Sequence, residues 1–336
     1  MLDLLQKVLA KKDLSEREME HLMLDFVSGE VPHSRLGAML AALRMKGESL
    51  SELVGAARML RRRASYIDCG TRNPVDVVGT GGDGGISFNI STTSSFVAAG
   101  VGVTVAKHGN RAVSGKCGAA DVLAELGFNL QTEPEKMEHS IKSHGIGFLF
   151  APRMHPVLGA VSVLRRELGV RTIFNMLGPL CNPAGATGIV LGVYDTGLTE
   201  LFAEALRALG TKRAMVVCAH DGLDEISCGA PTRVAELKDG MIKSYDLYPE
   251  LLLETTYPLS AIGGGDAKVN AGILLAVLEG RDRGAARAVV LLNAGAVIYV
   301  AGLAADLPAG IAAAAESIDS GRAREKLRIL IEESNR

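Results

Sequence analysis

Residues 75–96, VDVVGTGGDGGISFNISTTSSF, decide the fold. The stretch opens on a short apolar run, VDVVG (75–79), passes through the glycine turn GTGGDGG (79–85), and continues into a segment of helical length at 92–100. Four more runs of the same kind occur at VGVTVAK (101–107), GIGFLF (145–150), TGIVLGV (187–193) and RAMVVCA (213–219). Helix-length segments at 119–127, 134–143 and 197–209 lie between them. Strands that are apolar on both faces and alternate with helices predict an α/β fold with a mostly parallel central sheet flanked by helices. In such a sheet, ligands bind beyond the carboxyl ends of the strands, which directs attention to the residues just after each run.

Outward from that core, residues 1–65 read as helices alone. Ser15-x-x-Glu18 and Ser49-x-x-Glu52 fit capping boxes, and Leu36, Met39, Leu40 and Leu43 form an apolar stripe at helical spacing. Pro32 and Gly47 mark turns, so a small bundle of four short helices is expected, with an unpaired face available for dimerisation. Segment 153–186 is less regular: 164–168 fits a helix, and Pro179 and Pro183 break the residues after it. Further helices are expected near 266–279, 284–301 and 321–334.

Composition narrows the classes. The 336 residues carry 36 basic and 38 acidic side chains, for a net charge of −2, and no tryptophan. No one-signed field for nucleic acid arises, and Arg61, Arg62 and Arg63 read as a solvated helix end. Cys69, Cys117, Cys181, Cys218 and Cys228 contain no C-x-x-C pair, which points to reduced thiols. The amphipathic start MLDLLQKVLAKKDL carries Asp3 and is unlike a signal peptide, and no span suits a membrane. A cytoplasmic protein without nucleic-acid or membrane partners is expected.

The chemistry lies in four loops. Gly79, Gly81 and Gly84 match the dinucleotide pattern G-x-G-x-x-G, yet no Asp or Glu occurs between Asp83 and Asp121 to hold a ribose. There is no Gly-Lys-Ser/Thr after them either, which excludes a P-loop. What remains is a glycine turn leading to Asn89, Ser91 and Thr92 at a helix start, where free backbone N–H groups and the helix dipole favour an anion. The plain alternative is a tight turn with an N-cap, but five glycines in seven residues exceed that need.

The second strand runs into KHGNRAVSGKCGAAD (107–121), where Lys107, His108, Asn110, Arg111, Ser114 and Lys116 crowd one glycine-spaced loop. Such donors are costly to bury without an anionic partner. The fifth strand runs into HDGLDEIS (220–227), whose adjacent carboxylates Asp224 and Glu225 suit magnesium shared with phosphate oxygens. In RRELGVRTIFNMLGPLCNP (165–183), Arg165, Arg166 and Arg171 lie beside apolar residues, and one of them could grip an aromatic carboxylate. The residues alone do not choose among the three.

Taken in order, GTGGD with NIST, KHGNRAVSG, RTIFNMLGPLCNP and HDGLDEIS resemble the anthranilate phosphoribosyltransferase family over essentially the whole chain, including NA at 270–271 and 293–294. The resemblance implies a small helical domain of residues 1–70 plus part of 153–180, which forms a homodimer. A larger α/β domain, 71–152 and 181–336, would be joined to it by a hinge. It further implies that Gly79, Gly82, Asp83, Ser87, Asn89, Ile90, Ser91, Thr92, Lys107, Gly109, Asn110, Arg111, Ser114 and Gly115 hold phosphoribosyl diphosphate. Ala119 stands where the family usually has serine, which removes one hydroxyl contact. Anthranilate would be bound by Gly79, His108, Asn110, Arg165 and Gly178. Ser91, Asp224 and Glu225 would organise Mg2+, in two ions with the diphosphate sugar.

An aryl amine is neutral at pH 7, so no residue is assigned as a compulsory general base; catalysis would rest on positioning and electrostatics. A separate anthranilate synthase could supply the acceptor. The nearest rival is a pyrimidine nucleoside phosphorylase of the same architecture, which KHGNRAV disfavours. A nicotinamide oxidoreductase lacks its ribose acid, and a binding-only relative would have no use for Asp224, Glu225 and Arg165.

Overall fold

The computed structural model of the chain describes residues 1–81, 85–112 and 115–336. Seven strands form one sheet: β1 Val75–Gly79, β2 Val105–Gly109, β3 Ile146–Phe150, β4 Gly188–Gly192, β5 Arg213–Ala219, β6 Thr232–Lys238 and β7 Met241–Leu247, in the order β3-β2-β1-β4-β5-β6-β7. The first five run parallel, and β6 and β7 extend the sheet antiparallel. The order reverses around β1, so its carboxyl end opens a crevice between β2 and β4, the position ligands use in sheets of this kind.

The five expected runs are strands, with one shift. Residues 101–104 are not in β2, because the preceding helix extends through Val101 and turns at Gly102, whose φ is 111°. The antiparallel hairpin β6–β7 and the helix Leu307–Asp319 were not anticipated. Strand β7 is only partly covered, so its residues do not form the continuous apolar run of a doubly covered strand. Its turn carried a signal nonetheless: Asp239 and Gly240, at φ 52° and 76°, form the Asp-Gly pair that tight hairpins favour.

Four helices precede the sheet: α1 Leu2–Leu9, α2 Glu16–Ser28, α3 His33–Lys46 and α4 Leu50–Arg62. In the Ser15–Glu18 box the Ser15 hydroxyl accepts from Glu18 N and the Glu18 carboxylate accepts from Ser15 N. Glu52 accepts from Ser49 N at 2.8 Å, but it also accepts from Leu14 N and pairs with Lys46 at 3.0 Å while wholly buried. The helix Gly159–Leu168 packs against α2 and α3, and Ile173–Leu177 packs against α3 and α4.

Period-two alternation divides the sheet between two cores. Val190, Met215 and Val217 point to the face covered by helix α5, Ile90–Val101, and helix Ala285–Val300. Ile189, Leu191, Val216 and Cys218 point to the face that shares a core with helix Thr199–Ala208 and the N-terminal bundle. Arg61 corrects its expected role as a solvated residue: Nε donates to Leu180 O at 2.7 Å and Nη1 to Leu209 O at 3.1 Å. It therefore ties α4 to two connections of the sheet. All five cysteines are free, and among the described residues no helix is long and apolar enough to cross a membrane.

Candidate active site

Gly82, Asp83 and Ser114 lie outside the described residues; the other expected site positions can be placed. At the end of β1, Thr80 N donates to Gly192 O at 2.9 Å and continues the pairing with β4. Asp224, only 8% exposed, fills the space that side chains at Gly79 and Gly192 would take. A Cβ on Gly79 would meet Asp224 Oδ2 at 2.8 Å, and one on Gly192 would meet Asp224 O at 1.6 Å. The two glycines are thus required by the passage of the 220–226 loop across the ends of β1 and β4.

The next carboxylate reaches the other side of the crevice. Glu225 Oε1 accepts from Ser91 N at 3.1 Å in the first turn of α5. Lys107 Nζ, on β2, donates to Ser91 Oγ at 3.3 Å and to Val77 O. Burial lowers the affinity of the Lys107 amine for its proton, and the carboxylates of Asp76 and Glu225 oppose that effect. Hydroxyl and carboxylate oxygens of Ser91, Asp224 and Glu225 thereby gather at one strand-end crevice. That all-oxygen set fits a hard divalent cation such as magnesium.

The two glycine loops also meet. A Cβ on Gly85, at φ 71°, would lie 2.9 Å from Gly115 Cα, so the turn after β1 and the loop after β2 touch backbone to backbone. A side chain on Gly109 would strike Phe148 at 2.7 Å and Ala119 Cβ at 3.2 Å. Asp121 accepts from Ala112 N and Gly118 N, both at 2.9 Å, and pairs with Arg111, folding that loop over the start of helix Ala119–Glu125. Ser87 bridges to Gly263. The Asn89 amide donates to Cys117 O at 3.2 Å and accepts from Asn270 Nδ2 at 3.0 Å. Ile90 and Thr92 are buried, and Thr92 Oγ1 has no partner among the described residues. Asn110 Oδ1 accepts from Arg111 N.

The aryl side is less closely knit. His108 Nδ1 meets Gly178 O at 3.1 Å, its Nε2 is buried without a partner among the described residues, and its ring stands 5.1 Å from that of His155. Burial, then His155, depresses the His108 pKa to about 3; burial, partly opposed by the Cys181 backbone, takes His155 to about 4. Both rings are neutral at pH 7. Arg165 lies on helix Gly159–Leu168 with its guanidinium 5.5 Å over the Phe174 ring, and only burial perturbs it. Arg171 instead stacks over Tyr194 at 4.5 Å. Among the described residues Arg165 makes no ion pair with the crevice cluster.

Sequence reasoning noted Asn270 and Asn293 only as part of the resemblance and gave them no role, yet both brace these loops. Asn293 Oδ1 accepts from Ile226 N and its Nδ2 donates to Ile226 O, both at 2.9 Å, clamping the loop just after Glu225. Asn270 Nδ2 donates to the Asn89 side-chain Oδ1 at 3.0 Å, and its own Oδ1 accepts from Gly265 N at 2.7 Å. Their signal was an amide embedded in the apolar helices Ala267–Leu278 and Ala285–Val300, where burial demands a partner. Asp76, wholly buried, was read only as part of a strand.

Comparison with known proteins agrees along the whole chain. The glycosyl transferase family, a/b domain, matches residues 71–324, and the helical bundle domain of that family matches residues 2–64. An anthranilate phosphoribosyltransferase of Desulfosudis oleivorans is 53% identical over 328 residues, covering 98% of this chain and 97% of that one. One from Desulfatibacillum aliphaticivorans is 53% identical over 98% and 97% of the two chains. The crystal structure of anthranilate phosphoribosyltransferase from Thermus thermophilus superposes with a TM-score of 0.93 at 40% identity, over 99% of each chain. The Saccharomyces cerevisiae enzyme in complex with PRPP and Mg gives 0.91 at 28% identity, over 99% of this chain and 97% of that one.

Proposed function

This chain belongs to the glycosyl transferase family that includes the anthranilate phosphoribosyltransferases, and we propose that it works through the crevice between β1, β2 and β4. It transfers the phosphoribosyl group from 5-phosphoribosyl 1-diphosphate to the amine of anthranilate in tryptophan biosynthesis, giving N-(5-phosphoribosyl)anthranilate and diphosphate. The observation that carries the assignment of the site is the meeting of Asp224 with Gly79 and of Glu225 with Ser91 at one strand-end crevice.

Gly79, Gly82, Asp83, Ser87, Asn89, Ile90, Ser91, Thr92 and Lys107 hold the diphosphate sugar, together with Gly109, Asn110, Arg111, Ser114 and Gly115. Ser91, Asp224 and Glu225 hold magnesium, in two ions. Bound there, magnesium supplies charge neutralisation for the diphosphate as it leaves. Lys107, buried below Ser91, donates to the Ser91 hydroxyl at the floor of the crevice. The acceptor lies between His108, Asn110 and Gly178, with Arg165 on its carboxylate, so that the amine faces the ribose carbon. Burial holds His108 neutral at pH 7, and the aryl amine needs no strong base before attack. Its surplus proton passes to solvent or to the diphosphate product.

Residues 1–70, with part of 153–180, form the helical domain; it closes on 71–152 and 181–336 and contributes the contact of a homodimer. Closure excludes the water that would hydrolyse the activated sugar. The enzyme works in the cytoplasm and receives anthranilate from a separate anthranilate synthase. Anthranilate fluorescence is expected to fall only when phosphoribosyl diphosphate and magnesium are both supplied. Unchanged fluorescence, or phosphorolysis of thymidine in its place, would favour the pyrimidine nucleoside phosphorylase reading.

A further inference from the structure

The two walls assigned to the aryl acceptor come from distant parts of the chain, and a buried polar clasp joins them. Asp76 Oδ1 accepts from Val77 N at 2.8 Å and from His108 N at 3.0 Å, while Oδ2 accepts from Asn182 Nδ2 at 2.7 Å. The same Asn182 amide donates to Ala106 O at 2.8 Å, and its Oδ1 accepts from Ala184 N at 2.9 Å. Every polar atom of this buried side chain is therefore engaged. Four residues earlier, Gly178 O meets His108 Nδ1 at 3.1 Å. Between the two attachments, Arg61 of the helical domain donates to Leu180 O at 2.7 Å. The short span 178–182 is thus fastened to β2 at both ends and to α4 in the middle.

We infer that Asn182, locked onto Asp76, is a positioning residue for the aryl acceptor: it sets the separation of the His108 and Gly178 walls without touching the substrate. This rests on the acceptor site assigned above. A neutral side chain that is satisfied on every side gives the span one low-energy register, and shortening it frees the span to slide along β2. The diphosphate side is attached differently, through Ser91, Lys107, Glu225 and Asp224, with no bond to Asn182. The two substrates are accordingly expected to respond unequally.

The test measures both Michaelis constants and the turnover number for wild type, Asn182→Ala and Asn182→Ser, each checked for folding by its thermal melting curve. Asn182→Ser retains an acceptor for Ala184 N but cannot reach Asp76. The Michaelis constant for anthranilate is expected to rise about tenfold in the folded variants, with that for phosphoribosyl diphosphate and the saturated turnover within about threefold of wild type. Equal rises in both constants, or a fall in turnover with the anthranilate constant unchanged, would overturn the inference. Wild type that fails to consume anthranilate would instead refute the acceptor assignment itself, so the two failures are distinguishable.

Discussion

Glu225 Oε1 accepts the backbone N–H of Ser91 at 3.1 Å, so the loop after β5 caps the helix that begins beyond the glycine turn after β1. A carboxylate at a helix N-terminus is favoured by the free N–H groups and the helix dipole. Here that ordinary preference brings residues 134 positions apart to one crevice. Beside it, Asp224 rests against Gly79 and Gly192, whose missing side chains make the approach possible.

Replacing Asp224 tests that crevice. Asp224→Asn is expected to lower turnover and to raise the magnesium concentration needed for half-maximal rate by about tenfold or more, as one charged ligand becomes neutral. Gly79→Ala should impair the same step, because its Cβ would lie 2.8 Å from Asp224 Oδ2. A magnesium titration reads both effects; curves that superpose on wild type would remove Asp224 from the metal site.

Arg165 is assigned to the acceptor carboxylate, and burial is its only perturbation. Arg165→Ala is expected to raise the Michaelis constant for anthranilate about 10- to 100-fold while leaving that for phosphoribosyl diphosphate near its original value, as loss of a charge-assisted pair implies. Steady-state kinetics with each substrate varied in turn decide it.

Ala119 opens the helix beside Gly109, at the position where the resemblance implies a serine. Ala119→Ser should restore one neutral hydrogen bond to the diphosphate sugar, about 1 kcal/mol or roughly a fivefold lower Michaelis constant. No change would show that the missing hydroxyl has no bearing on affinity.

Asn293 holds both backbone groups of Ile226. Asn293→Leu leaves them buried and unpaired, which should cost about 1–3 kcal/mol of stability and loosen the loop that carries Asp224 and Glu225. Urea unfolding measures the first effect and magnesium dependence the second.

Acid should destabilise the fold through its buried imidazoles. An unfolded histidine takes a proton near pH 6.5, whereas His155 and His108 resist until about pH 4 and about pH 3. Between those limits the unfolded state binds more protons, so stability falls as pH drops from about 6.5, by up to about 1.4 kcal/mol per pH unit for each group. The Asp76 carboxyl, raised by burial, acts in the opposite direction in the acid range. Unfolding curves at a series of pH values should show a shallower slope for His155→Asn than for wild type.

Much of this was legible in the residues, for identifiable reasons. Strands β1, β3, β4 and β5 are mostly apolar runs because both faces of the parallel sheet are covered, and a strong local pattern survives without tertiary information. Strand β7, half-covered at the sheet edge, has no such run. Arg61 was misread because three consecutive arginines look like solvated charge; only the packing of α4 shows that Leu180 and Leu209 offer carbonyls to one of them.

By itself, the amino-acid order determined the five segments that become strands β1 to β5, where glycine must admit a close approach, and which donors and carboxylates come after those strands. Those properties depend on neighbours along the chain: apolar periodicity, the absence of a side chain, the spacing of polar groups. Only the tertiary structure decided that Asp224 lies on Gly79, that Asn293 clamps Ile226 and that Asp76 holds His108 and Asn182 together. Each of these depends on strand order and on the crossing of remote connections. A buried polar group must find a partner there, but nothing local specifies which one.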